Sequence, residues 1–244
     1  RHKAVIAMKV ALIGDVHGNE YALEAALKAA SKLNVEKYLV TGDLVGYYFS
    51  PARVLELLKP FDFVAVRGNH EDMLFQARND SQFLQKIDDR YGPGIRIALD
   101  QLTETQVQTL CDLPHPLELS IDGVKILLCH GSPSDNSEYI YPDTEDTTFN
   151  IIDYHKFDLV VLGHTHYQMK RSVGKTLVVN PGSVGQPRNH EPGAQWCLLD
   201  TLDLSIHFFN EQYDMSPLLL ECDEHAPNHS YLKKVLVREK SSKG

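Results

Sequence analysis

Apolar residues in the first seventy positions fall into two alternating rhythms. Lys9–Gly14 (KVALIG) is a short continuous apolar run, the pattern of a buried strand. From Asn19 to Leu33 the apolar residues Ala22, Leu23, Ala26, Leu27 and Ala30 recur at the spacing of one helix face. Asn19 stands where a cap is needed, and Glu20 lies in the first turn, where the helix dipole favours negative charge. Tyr38–Gly42 predicts a second strand, Pro51–Leu58 a second helix and Phe61–Val66 a third strand. This β-α-β-α-β order implies a parallel sheet with right-handed crossovers.

Residues 70–113 predict mostly helix, broken at Gly92-Pro93-Gly94, with Thr103 capping a final helix whose apolar positions are Val107, Leu110 and Leu113. Strands then dominate: Pro116–Ile121, Val124–Cys129 across an Asp122-Gly123 turn, Leu159–Leu162, Gln168–Ser172, Thr176–Val179, Trp196–Leu199 and Ser205–Phe209. The expected fold class is α/β, with two packed mixed sheets flanked by helices. One domain is expected over residues 8–222. Residues 1–7 read as a tag or upstream extension ahead of Met8, and residues 223–244 as a polar C-terminal tail.

Composition narrows the function classes. Hydrophobic residues are 43% and charged residues 23% of 244, which suits a globular chain rather than disorder or a fibre. No apolar run reaches the roughly 18 residues of a membrane span. With 24 Lys+Arg against 33 Asp+Glu the net charge is −9, so no nucleic-acid partner is expected. The 4 cysteines form no C-x-x-C pair, which fits free thiols in a reducing compartment and a cytoplasmic location. A count of 12 histidines beside a single tryptophan directs attention to metal ligation.

Donor residues gather where the apolar strands end. The first strand runs into Gly14-Asp15-Val16-His17-Gly18-Asn19, the second into Gly42-Asp43, and the third into Arg67-Gly68-Asn69-His70-Glu71. Later strands end in Cys129-His130-Gly131 and Gly163-His164-Thr165-His166. Ligands of open α/β sheets bind at the carboxyl ends of strands, so these clusters are expected to converge. Asp15, His17, Asp43, Asn69, His130, His164 and His166 offer carboxylate, amide and imidazole donors without thiolate, a set suited to Mn, Fe, Zn, Co or Ni. That number is too large for one tetrahedral ion and natural for two ions sharing a carboxylate. Because alternate residues of an extended strand point to opposite faces, Asp15-x-His17 and His164-x-His166 must both lie on bent loops.

In that order, the motifs D-x-H, G-D, G-N-H-E, H and G-H-x-H resemble those of the calcineurin-like metallophosphoesterases. Gly42–Tyr47 (GDLVGY), His130–Pro133 (HGSP) and Asn180–Arg188 (NPGSVGQPR) are similar to a small bacterial and archaeal branch of that family. The resemblance covers roughly residues 8–210 and implies an αββα sandwich. It implies that Asp15, His17 and His166 hold one divalent ion, that Asn69, His130 and His164 hold a second, and that Asp43 bridges them, with manganese favoured. His70 would face the substrate, stabilising developing charge and protonating the departing oxygen. The expected reaction is hydrolysis of a small phosphodiester or phosphomonoester, the diester preferred, by attack of a metal-bridging hydroxide.

One departure bears on substrate. The family's protein phosphatases carry G-D-x-V-D-R-G, whereas this chain reads Gly42-Asp43-Leu44-Val45-Gly46-Tyr47-Tyr48 and lacks that arginine. Arg188, Tyr47 and Tyr48 are candidate substrate contacts. Tyr48 and Phe49 can alternatively pack beneath the following helix, Arg188 can instead form a surface salt bridge, and Glu71 can either influence His70 or serve the helix N-terminus. Two further functions share the fold: a scaffold for protein interaction, which should have lost ligands, and a nuclease, which should carry a basic groove.

Overall fold

The computed structural model describes residues 7–150 and 154–241. Residues 1–6, on which nearly all of the expected upstream extension falls, and residues 242–244 lie outside the described residues. Strand β1 (Lys9–Ile13) pairs in parallel with β2 (Lys37–Val40), Ile13 opposite Val40. On its other side β1 pairs antiparallel with β9 (Ala194–Asp200), Leu12 opposite Cys197. With β3 (Phe63–Ala65) and β10 (Ser205–Glu211) these make a 5-stranded sheet ordered β10-β9-β1-β2-β3. The second 5-stranded sheet runs β4-β5-β6-β8-β7, from β4 (Leu117–Ile121), β5 (Val124–Leu128), β6 (Leu159–Val161), β7 (Gln168–Val173) and β8 (Thr176–Pro181). Both sheets mix parallel and antiparallel pairs, as expected.

Strand alternation explains the layering. Val10 and Leu12 share one core with Leu39 and with Ile126, Leu128, Leu159, Val161 and Val179 of the second sheet. Ala11 and Ile13, pointing the other way, join Tyr38, Val40 and the face Ala22, Leu23, Ala26, Leu27 and Ala30 of α1 (Glu20–Lys32). A strand buried on both faces must be apolar at every position, which is why KVALIG carries no polar alternation. Asn19 caps α1, its Oδ1 accepting from the Ala22 N–H at 3.1 Å.

The helical stretch divides into α3 (Asn69–Ala77), α4 (Ser81–Tyr91), α5 (Gly94–Gln101) and α6 (Glu104–Cys111), after α2 (Pro51–Leu58). The predicted break is Gly92, which ends α4 at φ 87° and ψ 176°, a backbone conformation open to glycine because it has no Cβ. Thr103 and Gln106 form a reciprocal capping box on α6. The short α7 (Asp146–Asn150) lies in the loop after β5.

The C-terminal tail is corrected. Helix α8 (Ser216–His225) is followed by α9 (Tyr231–Val237), whose Leu232, Val235 and Leu236 are buried against Tyr47, Tyr48 and Phe49. These apolar positions form one helix face, hidden in a charged sequence too short to show a convincing period. All four cysteines are buried free thiols. Among the described residues no helix is long and apolar enough to cross a membrane.

Candidate metal centre

Every strand that carries a predicted ligand delivers it to one edge of the sandwich. Asp15 and His17 follow β1, Asp43 follows β2, Asn69 opens α3 after β3, His130 follows β5, and His164 and His166 follow β6. Donor atoms of Asp15, His17 and His166 lie within 4.8 Å of one another, as do those of Asp43, His130 and His164. A third set, His17, Asp43 and His70, meets the same limit and links the first two. Asn69 completes the predicted group, its Oδ1 lying 2.9 Å from Nε2 of His130.

The bend expected at the two alternating pairs is a left-handed backbone. Asp15 (φ 50°), His17 (52°), His164 (67°) and His166 (61°) all adopt it, as do Asp43 (53°) and Tyr47 (55°). Non-glycine residues rarely take this conformation, and its concentration here is strain of the kind held at functional sites. Neighbouring glycines make the room. A Cβ on Gly46 (φ 89°) would meet Nδ1 of His70 at 2.0 Å, and one on Gly68 would meet Oδ1 of Asp43 at 2.1 Å.

Backbone carbonyls fix the imidazole tautomers. Nδ1 of His17 donates to Val45 O (3.1 Å), that of His130 to Thr41 O (2.7 Å) and that of His166 to Gln186 O (2.6 Å). A carbonyl only accepts, so in each neutral ring the lone pair is on Nε2 and faces the centre. There Nε2 of His17 meets Nε2 of His166 at 3.1 Å, and Nε2 of His130 meets Asn69 Oδ1 and, at 3.2 Å, Asp43 Oδ2. Oδ1 of Asp15 and Nε2 of His164 are buried without a hydrogen-bond partner among the described residues. Convergent lone pairs repel one another unless positive charge sits among them. The donor set therefore fits divalent cations.

Proton equilibria of the metal-free site carry the same signature. Burial, reinforced by the charges of neighbouring histidines, pushes His70 and His164 down to about 4 and His17 lower than its ordinary value. Burial also opposes charge on His130, but the Asp43 carboxylate overcomes it and holds that ring up at about 10. Burial likewise resists ionisation of Asp43, yet His130 and His70 keep its carboxyl well below the usual range.

Glu71 serves the backbone. Its carboxylate accepts from the N–H groups of Asp43 (2.9 Å), Leu44 (2.8 Å) and Gly68 (2.8 Å), pinning the second and third ligand loops together. Burial and the nearby Asp43 charge push it up to about 7. Asp43 in turn accepts from the His70 N–H through Oδ1 at 2.9 Å, leaving Oδ2 toward the histidines.

Around this centre, the substrate-contact candidates divide. His70 is buried with its ring 4.6 Å from that of His17 and 4.8 Å from that of Tyr47. Arg188 donates to Tyr47 Oη (3.0 Å) and Gln186 Oε1 (2.9 Å), both neutral, so the surface salt bridge is not what holds it. Tyr48 is corrected: its ring is fully buried and its hydroxyl donates to Leu232 O at 3.0 Å. Both it and Phe49 pack beneath the C-terminal helices. Arg67 is structural, donating to the carbonyls of Cys111 and Leu113.

Several contributors have roles that the sequence motifs do not specify. Gln186 joins Arg188, Tyr48 and His166 through its amide and carbonyl. Asn180 Nδ2 donates to Gly163 O, and Ser183 Oγ donates to Asp15 O; these roles of the Asn-Pro-Gly-Ser stretch exist only once both sheets have docked. Tyr139 rests against His164 at 4.0 Å between ring centroids, from the loop between β5 and α7.

Residues 8–203 match the family described as the calcineurin-like phosphoesterase superfamily domain. An uncharacterized protein of Methanocaldococcus jannaschii is 28% identical over 229 residues, covering 86% of this chain and 90% of that one. The Escherichia coli phosphodiesterase YfcE is 24% identical over 215 residues, covering 84% and 94%. Among solved structures, a hypothetical protein of Pyrococcus horikoshii superposes with a TM-score of 0.85 at 23% identity, covering 96% and 100%. A metallophosphoesterase from Sphaerobacter thermophilus gives 0.74 at 26% identity, covering 93% and 98%.

Proposed function

Because this chain belongs to the calcineurin-like phosphoesterase superfamily and is a metal-dependent phosphoesterase, we propose that it hydrolyses a small organic phosphodiester at a centre for two divalent ions. The observation that carries the reading is the position of Asp43. Its Oδ2 lies 3.2 Å from Nε2 of His130 and 3.7 Å from Nε2 of His17, one histidine from each ligand group. A carboxylate so placed serves both groups, with Asp15, His17 and His166 on one side and Asn69, His130 and His164 on the other. Divalent ions such as Mn²⁺ bound there would polarise phosphate oxygens and lower the pKa of water from about 15.7 toward 7.

The chain's own groups do the rest. Arg188, held by neutral partners, directs an uncompensated positive charge at a phosphate beside Tyr47. His70 is neutral at pH 7 in the free protein, because burial keeps it at about 4. An anionic phosphate beside the ring opposes that effect, so His70 takes up the proton it delivers to the departing oxygen only with substrate present. Glu71 keeps the Asp43 loop in register with the Gly68 turn ahead of His70 by accepting from the N–H groups of Asp43, Leu44 and Gly68. The phosphodiesterase name of a relative at 24% identity supports the diester over the monoester.

The test compares bis-p-nitrophenyl phosphate with p-nitrophenyl phosphate by kcat/KM in protein loaded with Mn²⁺, Ni²⁺ or Zn²⁺. The diester should be preferred, with about two ions per chain by elemental analysis. His70→Asn should retain both ions and lose about 10²–10⁴-fold in kcat. One ion per fully active chain, or unchanged turnover in His70→Asn, overturns the two-ion centre or the role of His70 respectively.

A further inference from the structure

Beside the metal centre lies a cleft of about 490 Å³ whose lining includes Tyr47, Tyr91, Tyr139, Tyr231, Arg90 and Arg188. Its size falls in the range of small-molecule sites. Among the described residues no carboxylate lines it, although the chain carries a net charge of −9. Three of its tyrosines touch histidines of the centre: Tyr47 lies 4.6 Å from His17, Tyr91 lies 6.0 Å from His70 and Tyr139 lies 4.0 Å from His164, between ring centroids. The cleft and the metal centre therefore share walls. Tyr231, the first residue of α9, supplies the remaining aromatic face and is 44% exposed, as Tyr139 is 48% exposed. The two guanidinium groups lie against rings of this same wall, Arg188 at 5.7 Å from Tyr47 and Arg90 at 5.0 Å from Tyr91.

Exposed tyrosines bordering a cationic, acid-free cleft suit one ligand chemistry: a flat aromatic ring attached to an anion. We propose that this cleft is the specificity pocket of the enzyme, and that the substrate is a phosphodiester carrying an aryl ring or a nucleobase on one ester arm. The phosphate lies at the metal centre within reach of Arg188, and the ring lies among Tyr47, Tyr139 and Tyr231. Arg90 offers a second positive charge at the wall formed by Tyr91. A compact alkyl ester leaves this surface unused, so the proposal predicts discrimination by the ring. It also gives the C-terminal segment a function, because the wall containing Tyr231 is built by α9. The inference rests on the phosphodiesterase reading for the placement of the phosphate.

Its test measures binding, so that it stands apart from turnover. Metal-reconstituted protein is titrated by calorimetry with methyl phosphate, phenyl phosphate and thymidine 5′-monophosphate, which share a phosphate and differ in the ring. The ring-bearing ligands should bind at least about tenfold tighter than methyl phosphate, and whichever of the two binds tighter identifies an aryl or a nucleobase arm. Tyr231→Ala should bring their affinity toward that of methyl phosphate, and Tyr231→Phe should keep the preference. Equal affinity for all three, or a preference that survives Tyr231→Ala, overturns the proposal. Tight ring-dependent binding without turnover of any diester would instead count against the phosphodiesterase reading alone.

Discussion

Nε2 of His17 lies 3.1 Å from Nε2 of His166, while both rings commit Nδ1 to backbone carbonyls. Neither nitrogen can turn away without breaking its carbonyl bond, so cation binding relieves a contact built into the fold. Chelation with EDTA should therefore lower the melting temperature by about 5–15 °C, the shift for ligands held 100- to 1,000-fold above Kd in a domain of this size. Scanning calorimetry before and after Mn²⁺ return checks it; an unchanged transition would mean that no ion is held there.

Asp43→Asn should remove both ions together. The amide keeps an oxygen for one neighbour but loses the charge that Oδ2 places near His17 and His130. Elemental analysis of the purified variant should find well under one ion per chain. Loss of a single ion would assign Asp43 to one side only.

Glu71→Gln leaves one oxygen where the carboxylate accepts three backbone N–H groups. A buried donor left unmatched costs about 1–3 kcal/mol, and urea unfolding should show a loss of that order. Turnover should fall with it, since the loops of Asp43 and Gly68 lose their tie. A variant with wild-type stability would show that the carboxylate is dispensable to the loops.

The pH dependence of metal-free stability follows from two opposite shifts. His115 is held down at about 4 by burial and by the charge of His130, and His70 and His164 are held down likewise. In the unfolded chain these rings take protons near 6.5, so stability is full above that pH and declines as pH falls toward 4. His115→Leu should flatten part of this decline in denaturant titrations of EDTA-treated protein. His130, raised to about 10, acts in the other direction: its contribution is full below pH 6.5 and is lost as pH rises through 10.

Gly46→Ala should damage catalysis more than metal binding. Its added Cβ would meet His70 at 2.0 Å at a position with φ of 89°, displacing the ring without touching a ligand of either group. We expect kcat to fall at least tenfold with ion content near wild type, measured on one preparation. Wild-type turnover would show that the position of His70 is immaterial.

Sheet strands and the donors that converge were legible because each has a local signature. A strand buried on both faces must be apolar throughout, as at Lys9–Gly14, and Asp15, His17, Asn69 and His164 stand in short motifs at strand ends. What escaped depends on docking. Tyr48 reads like a pocket aromatic until α9 covers it, and α9 looks like tail because its apolar face spans only Leu232, Val235 and Leu236 amid charge. Gln186 and Tyr139 reach the site from loops whose course is set by tertiary contacts, so no periodicity announces them. The left-handed backbone at Asp15, His17, His164 and His166 was required by geometry but could not be read from residue identity.

Ligand loops issue from both sheets: Asp15, His17 and Asp43 from the first, His130, His164 and His166 from the second. Neither half of the sandwich supplies all of Asp15, His17 and His166, or all of Asp43, His130 and His164, because His166 must reach Asp15 and His130 must reach Asp43 across the seam. On the two-ion reading, a full ligand group exists only once the sheets close on each other, so complete metal uptake would time-stamp the moment the two halves meet.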